Sequence, residues 1–492
     1  MAKAYIATED TQSDIKNLVA GISTKMGSDG FGGCLPHITV QAPTGSTVTA
    51  ANGTTVLTAE EVNGVYQFNL PHLGDWVVAT AKNGRTNTRT VSVTDVREYK
   101  INTSYGYRYG YRIKKSEGNP AARVEYLFDA VGLAPAKMDY TNGVFDFGGW
   151  ADKWFVRDNK PLMLKSNGEV DYYLDPNYYA RKEDGTASDV GNTAYDGNAM
   201  AQIPLCYVKR YEDDDYLYEI ISDVQYDEDY KAYAHTRADG SIADVFYWSM
   251  FGSGGGASKI RSLADQTLVQ SLTAQQEIDG CKANGAKWYT HSWSQRELIR
   301  TLLILMGKST NTQSVFGNGN CRSASSASGL LTTGTLKDKG QFYGYNDSTH
   351  QVKVFHIEGF WGDQWDRTAG VINSGGKIYV KMTPEGQGYR VTDTDGYTDT
   401  GVTLTGSSGG YISEATCSEN GIIPKTISGS ATTYYCDGAW FNNSVLCYLL
   451  AGASAGNTTA IGGAFTFAVD AAPAHAYWHN GCGLSCEKPV AA

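Results

Sequence analysis

Proline is scarce in this chain, 12 residues against 56 glycines, and no apolar run approaches the roughly 20 residues that would cross a bilayer. Runs such as Leu302 to Met306 and Val445 to Ala451 are far too short, so no membrane insertion is expected. Basic residues are outnumbered: 41 Lys and Arg against 52 Asp and Glu leave a net charge of −11. That balance argues against nucleic acid as a partner, because phosphate binding needs clustered cations. The one dense charge run, Glu212 to Asp215, is acidic and reads as a solvated turn. No signal peptide is expected either, since the single Lys in Met1 to Glu9 has no apolar stretch behind it. Nine cysteines cannot all pair within one chain, and thiols are expected at synthesis. The eight histidines are scattered and form no H-E-x-x-H, so no metal and no cofactor is expected.

A second absence is local. From Cys436 to Cys486 there is no Lys, Arg, Glu, Gln or Met. Those types make up very roughly one residue in six elsewhere, so about eight would be expected. The segment nevertheless keeps Trp440, Trp478, Phe441, Phe465, Phe467, Tyr448 and Tyr477, together with His475, His479, Asp470 and the Asn442-Asn443 pair. Burial alone does not select for such polar residues. We read the segment as a ligand-facing surface.

What is present in quantity is Tyr, 33 residues, alongside Gly, Ser and Asn. This mixture suits adaptable recognition surfaces, because Tyr offers rigid amphipathic contact at low entropic cost. Residues 1–33 read as a short helix (Ile15, Leu18, Val19 and Ile22 on one face) ended by a glycine-rich hinge. Over 34–103 short alternating or β-branched stretches recur about every ten residues: His37 to Gln41, Thr54 to Thr58, Val65 to Leu70, Trp76 to Ala81 and Thr90 to Thr94. They predict a small all-β sandwich of immunoglobulin-like or prealbumin-like type. A linker is expected over 104–117, and an α+β domain over 118–492. Two helices there have capping-box signatures, Thr273-Ala-Gln-Gln276 and Ser294-Gln-Arg-Glu297. The second runs to Gly307 with a wide apolar face and reads as buried. Strands are expected at Gln351 to Ile357 and Lys377 to Met382, with a turn-rich excursion over about 383–415.

Local motifs give little chemistry. Gly252 to Lys259 lacks the spacing of a phosphate-binding loop, and the two G-x-S-x-G matches, Gly406 to Gly410 and Gly452 to Gly456, lack a strand-turn-helix context. Cys482-Gly-Leu-Ser-Cys486 reads as a structural pair on a terminal strand, with a disulfide to Cys436 or Cys447, or catalysis, as the alternatives.

An ordered set of stretches carries a resemblance. These are Gly359-Phe-Trp-Gly-Asp-Gln-Trp-Asp-Arg-Thr-Ala-Gly-Val371, Gly409-Gly-Tyr-Ile412, Gly421-Ile-Ile-Pro424, Thr432-Thr-Tyr-Tyr-Cys-Asp-Gly-Ala-Trp440, Gly463-Ala-Phe465 and Ala472-Pro-Ala-His-Ala-Tyr-Trp-His-Asn-Gly-Cys-Gly-Leu-Ser-Cys486. Together they resemble the variable proteins of diversity-generating retroelements, common in phages and prophages. The resemblance covers about 118–492 and implies a C-type-lectin-like domain of the formylglycine-generating-enzyme type with a variable region over about 436–486. Mutating the adenines of AAC codons gives NNC codons, which cannot encode Lys, Glu, Gln, Met or Trp. Arg is permitted, so its absence falls outside that account.

The resemblance implies variable, ligand-binding positions at Tyr448, Leu450, Ala453, Ala455, Thr458, Thr459, Ile461, Thr466, Ala468, Asp470, Ala471, His475, Tyr477 and His479. It implies scaffold at Trp361, Trp365, Trp440, Gly463, Phe465, Pro473, Trp478 and Gly481. The implied function is receptor binding by a phage tail-associated display protein, made in the bacterial cytoplasm and carried on the virion. A bacterial surface protein or glycan and other tail proteins are the implied partners, homo-oligomerisation is left open, and no catalysis is expected. Tyr477, His475 and Tyr448 would act as anchors, with His479, Asp470 and the threonines as hydrogen-bonding partners. The alternatives are a formylglycine-generating-type oxidase using the Cys482–Cys486 pair and a structural tail component.

Overall fold

The computed structural model describes residues 35–490 apart from 43–44, 63–64, 83–84, 103–105 and 384–388. The helix and hinge expected over 1–33 lie outside the described residues. The chain divides into two compact units, 1–107 with 224–228, and 108–223 with 229–492.

In the first unit, alternation of apolar and polar residues sets the strands. Ile38 and Val40 are buried within His37–Gln41, Tyr66 and Phe68 within Val65–Asn69, and Trp76, Val78 and Thr80 within Gly74–Lys82. Period two sends these side chains to one face. One four-stranded sheet has the order Glu60–Val62, Val65–Asn69, His37–Gln41, Glu98–Asn102; the other runs Thr55–Thr58, Thr47–Asn52, Gly74–Lys82, Arg85–Val93. Residues of both sheets, Ile38, Val40, Val48, Tyr66, Phe68 and Trp76 among them, share one core. Each such side chain contributes roughly 1.5–3 kcal/mol by leaving water.

The second unit overturns the expected fold class. The protein is mostly β, 41% strand and 9% helix, with several small sheets and a nearly closed nine-strand barrel-like sheet near the C-terminus. That finding replaces the α+β, C-type-lectin-like reading of 118–492. The α+β expectation generalised from two well-capped helices. Among the described residues the helices are Trp154–Arg157, Ala274–Lys282, Trp293–Gly307 and Thr312–Phe316, with short 3-10 turns besides. Much of the rest pairs in sheets. Within the supposed linker, Arg108–Lys114 is a strand paired on both sides, with Val124–Phe128 and Tyr216–Ser222. Thr398–Thr403 forms a strand inside the supposed turn-rich excursion. The strand expected at Gln351 to Ile357 is instead a tight hairpin, Lys353–Val354 with Ile357–Glu358, turned by Phe355 and His356 at φ 50° and 66°.

The barrel-like sheet has the order Thr398–Thr403, Lys377–Val380, Trp365–Ser374, Cys447–Ala451, Phe467–Val469, Gly438–Phe441, Gly409–Ser418, Gly421–Gly429, Thr405–Gly406. Its first and last strands are consecutive in the chain, separated only by buried Leu404. One segment thus pairs with both ends of the sheet and brings those ends together, which nearly closes it. Gly406 permits this: at φ 96°, a Cβ there would overlap the Ile427 backbone.

Helix Trp293–Gly307 is buried along its whole length. Ser292 is its N-cap and its side chain makes no capping bond to the helix backbone, so the capping box expected over Ser294 to Glu297 does not form. Glu297 instead pairs with Arg300 and accepts the Ile422 N–H at 2.8 Å, tying the helix to the sheet. The box at Thr273 and Gln276 does form.

Candidate ligand-binding cleft

Four neighbouring strands of the barrel-like sheet build the site. Trp440 pairs with Ala468, and Ala468 with Leu450, across three adjacent strands. Their chain neighbours Ala439, Leu449, Ala451, Phe467 and Val469 belong to the main core. Leu450 and Ala468 form a separate cluster with Trp365, Cys321, Ala453 and Ala471, against which Trp440 packs. Period two therefore splits each strand between the interior and a second, outer face. On that outer face lies a cleft of about 600 Å³ lined by Trp365, Trp440, Asn442, Val445, Leu450, Asn457, Ala468, Asp470, Ala471, Ala472, His475, His479 and Asn480. The Trp365 and Trp440 rings meet edge to face, 5.8 Å between centroids at 89°.

The rim is held from below. Arg367 is buried, pairs with Glu277 at 2.5 Å and donates to the His475 carbonyl at 3.0 Å. The Pro473 carbonyl accepts the Ala274 N–H at 2.8 Å, and the Tyr477 carbonyl accepts that of Ser271 at 3.1 Å. A rim fixed through its backbone leaves its side chains to the ligand at small ordering cost.

The polar groups around the cleft are incompletely paired. Asn442 and Asn457 use their side-chain oxygens on their own turns, accepting from Ser444 N and Ser454 N at 2.9 and 3.0 Å. The buried Asn480 Oδ1 and His479 Nδ1 have no hydrogen-bond partner among the described residues. Burial lowers the His479 pKa to about 4, and neighbouring His475 pushes the same way. Its imidazole is accordingly neutral at pH 7.

The structure brings Leu450, Ala468, Asp470, Ala471, His475 and His479 together at this cleft. Tyr477 stands beside it, 47% exposed and stacked on His475 at 5.8 Å. The others lie elsewhere. Tyr448 is not an exposed anchor: its outer face is covered by Tyr389, Val391 and Tyr397, leaving it 1% exposed. Ala453 and Ala455 are fully buried; the Ala455 carbonyl accepts the Ala324 N–H at 2.7 Å. Thr466 is buried in a turn, its hydroxyl accepting the Gly463 N–H at 2.8 Å. Thr458 is exposed and Thr459 and Ile461 are half-buried, all outside the cleft lining.

The scaffold set also divides. Trp365 and Trp440 wall the cleft. Trp361 is buried and donates to the Gly317 carbonyl at 3.0 Å, and Phe465 stacks on Tyr435 at 4.1 Å. Pro473 and Trp478 are half-buried. A Cβ on Gly463 would overlap Asp437, and one on Gly481 would overlap Gln364. Sequence reasoning missed Val445, Asn457, Ala472 and Asn480 as lining residues. The Asn442-Asn443 pair, polar within a filtered segment, was the signal available for that part of the wall.

A second constellation sits inward of Trp365. Ser249 Oγ lies 2.9 Å from His291 Nε2, and His291 Nδ1 lies 3.0 Å from Asp366 Oδ2. The order Ser–His–Asp is that of a nucleophilic triad. Here, however, Ser249 Oγ also accepts the Leu484 N–H at 3.3 Å, and Arg296 donates to Asp366 at 2.8 Å. Burial raises the Asp366 pKa, but His291 and Arg296 outweigh it and hold the carboxyl below its usual value. Trp248 stacks on His291 at 3.5 Å, and a Cβ on Gly483 would overlap that ring. The space left is about 50 Å³, room for a water or two and no acyl substrate. This network joins segments.

All eight described cysteines are buried thiols. Cys482 faces Cys281, Sγ to Sγ 3.7 Å, and neither Cys436 nor Cys447. The contact with Cys281, and then burial, push the Cys482 thiol up, and burial pushes the Cys486 thiol up, so neither Cys482 nor Cys486 is a ready nucleophile. Among the described residues no three His, Cys, Asp or Glu side chains gather as a metal site. No family model and no curated protein matches this chain.

Proposed function

We propose that the protein is a ligand-binding display protein whose outer C-terminal cleft engages a receptor on a bacterial surface. One observation carries this reading. Six positions singled out in a segment stripped of Lys, Arg, Glu, Gln and Met converge on one cleft between two tryptophans. A concave, partly apolar site with a few unpaired polar groups is the usual form of a ligand pocket. The motif resemblance supplies the setting: a phage tail-associated protein, carried on the virion, with its cleft positions diversified by a retroelement.

The test is deep sequencing of the codons for residues 436–492 across a population carrying this gene. Nonsynonymous changes should concentrate at Leu450, Ala468, Asp470, Ala471, His475 and His479, with Trp440 and Phe465 fixed. Changes spread evenly along the segment, or only synonymous ones, would remove diversification from the proposal.

A further inference from the structure

We infer that the ligand held in the cleft is a saccharide without a carboxylate, a neutral or N-acetylated short oligosaccharide; the inference rests on the cleft being the binding surface. Half-buried Trp440 offers an apolar wall, with the largely buried Trp365 ring set against it at right angles. An aromatic face suits the C–H face of a sugar ring, whose hydroxyls point away from it. The Asn442 and Asn457 amide oxygens are occupied by Ser444 and Ser454, which leaves their NH₂ groups as donors. The acceptor at the exposed rim is the Asp470 carboxylate, which has no ion-pair partner among the described residues, and Asn480 Oδ1, buried and without a partner among them, stands in the wall behind. Donors and acceptors are thus interleaved around apolar walls. A hydroxyl both donates and accepts, so a polyhydroxylated ligand can satisfy both kinds at once.

A protein anchor fits less well. An aliphatic or aromatic side chain inserted here would leave the Asn442 and Asn457 NH₂ groups unpaired and dry, which disfavours binding. Charge narrows the class further. No Lys or Arg lines the cleft, and the one formal charge is that of Asp470. Sialic and uronic acids would meet a like charge with nothing to offset it. A volume of about 600 Å³ lies well within the range of small-ligand pockets and accommodates a short oligosaccharide.

The experiment uses the purified full chain, first on an array of neutral, N-acetylated and acidic oligosaccharides. It is then applied to bacterial cells left untreated, oxidised with mild periodate, or digested with protease. Binding to neutral or N-acetylated members, and cell binding lost after periodate but kept after protease, is the expected result. Trp440→Ala should weaken it about tenfold or more. Asn442→Ala, at the half-buried rim, should weaken it severalfold and covers the case in which the tryptophan variant does not fold. Cell binding lost after protease and kept after periodate, array binding confined to acidic sugars, or no array binding at all, overturns the saccharide. Saccharide or cell binding that survives both Ala472→Trp, which fills the cleft from a half-buried lining position, and Asp470→Lys at its rim overturns the cleft itself. The two failures are therefore distinguishable.

Discussion

Trp365 and Asp366 are consecutive residues at the start of one strand, and they serve two sites of opposite character. Trp365 walls a cleft of about 600 Å³ whose amides, Asp470 carboxylate and His479 ring are incompletely paired. Asp366 closes an inner Ser249–His291–Asp366–Arg296 network in which each of the linking groups has a partner and about 50 Å³ is left over. By residue type the inner network looks the more chemical of the two. By geometry it leaves almost no room, and its buried groups bind one another apart from Arg296 Nε, which has no hydrogen-bond partner among the described residues. The outer cleft has no nucleophile and no charge relay, yet it has room and unused hydrogen-bonding capacity. The contrast shows that residue identity marks a functional site only when space and unspent partners accompany it.

Breaking the inner network is the largest perturbation expected. Asp366→Ala strands the fully buried Arg296 and leaves His291 Nδ1 without its carboxylate, and removing one member of a buried ion pair costs roughly 3–5 kcal/mol. Urea denaturation of the purified chain measures it. A loss below about 1 kcal/mol would mean the network is not the structural joint described here. Filling the outer cleft should do the reverse. Ala472→Trp places a large ring over the cleft from a half-buried lining position, so stability should change by about 1 kcal/mol or less while ligand binding is lost. If that variant instead unfolds the protein and Asp366→Ala abolishes binding without destabilising it, the roles of the two sites are reversed.

Part of this contrast was legible in the sequence. Leu450 and Tyr448 are spaced by two and fall on one face of Cys447–Ala451, as period two requires, and Ala468 is the one outward residue of Phe467–Val469. Which parts of that face stay open was not legible, because long-range neighbours decide it. The outer face at Tyr448 is roofed by Tyr389 and Tyr397, and Ala455 is covered by the backbone at Ala324. Trp365 and Asn480 reach the cleft only because Trp365–Asp366 and Asn480–Gly481 pair as parallel strands, a contact more than a hundred residues apart. The fold class failed for a related reason. Two strong helix signals stood out locally, whereas the barrel-like sheet depends on pairings such as Thr405–Gly406 with Thr426–Ile427, closed through Leu404. A pair of residues flanked by turns carries no strand signal of its own.

The smallest expected effect tests whether the outer cleft is as shielded as its geometry implies. His479 has its pKa lowered to about 4, first by burial and then by His475, against about 6.5 in an unfolded chain. Between those values the unfolded state binds the proton more readily, so this residue's contribution to stability is fully present above about pH 6.5 and is lost as pH falls towards 4. Asp437 acts in the opposite sense, since burial raises its pKa to about 7 and its contribution improves as pH falls. Whole-protein profiles therefore mix signs. The informative quantity is the difference between wild type and His479→Gln, in which the Asp437 contribution cancels. Between pH 7 and pH 4.5 the wild type should lose more stability than the variant, by on the order of 1 kcal/mol once solvent screening of this partly exposed ring is allowed for. Urea midpoints at the two pH values give the number. Equal losses would mean that water reaches the ring freely, and that the cleft wall beside Asn480 is too open to hold a ligand by the unpaired groups described here.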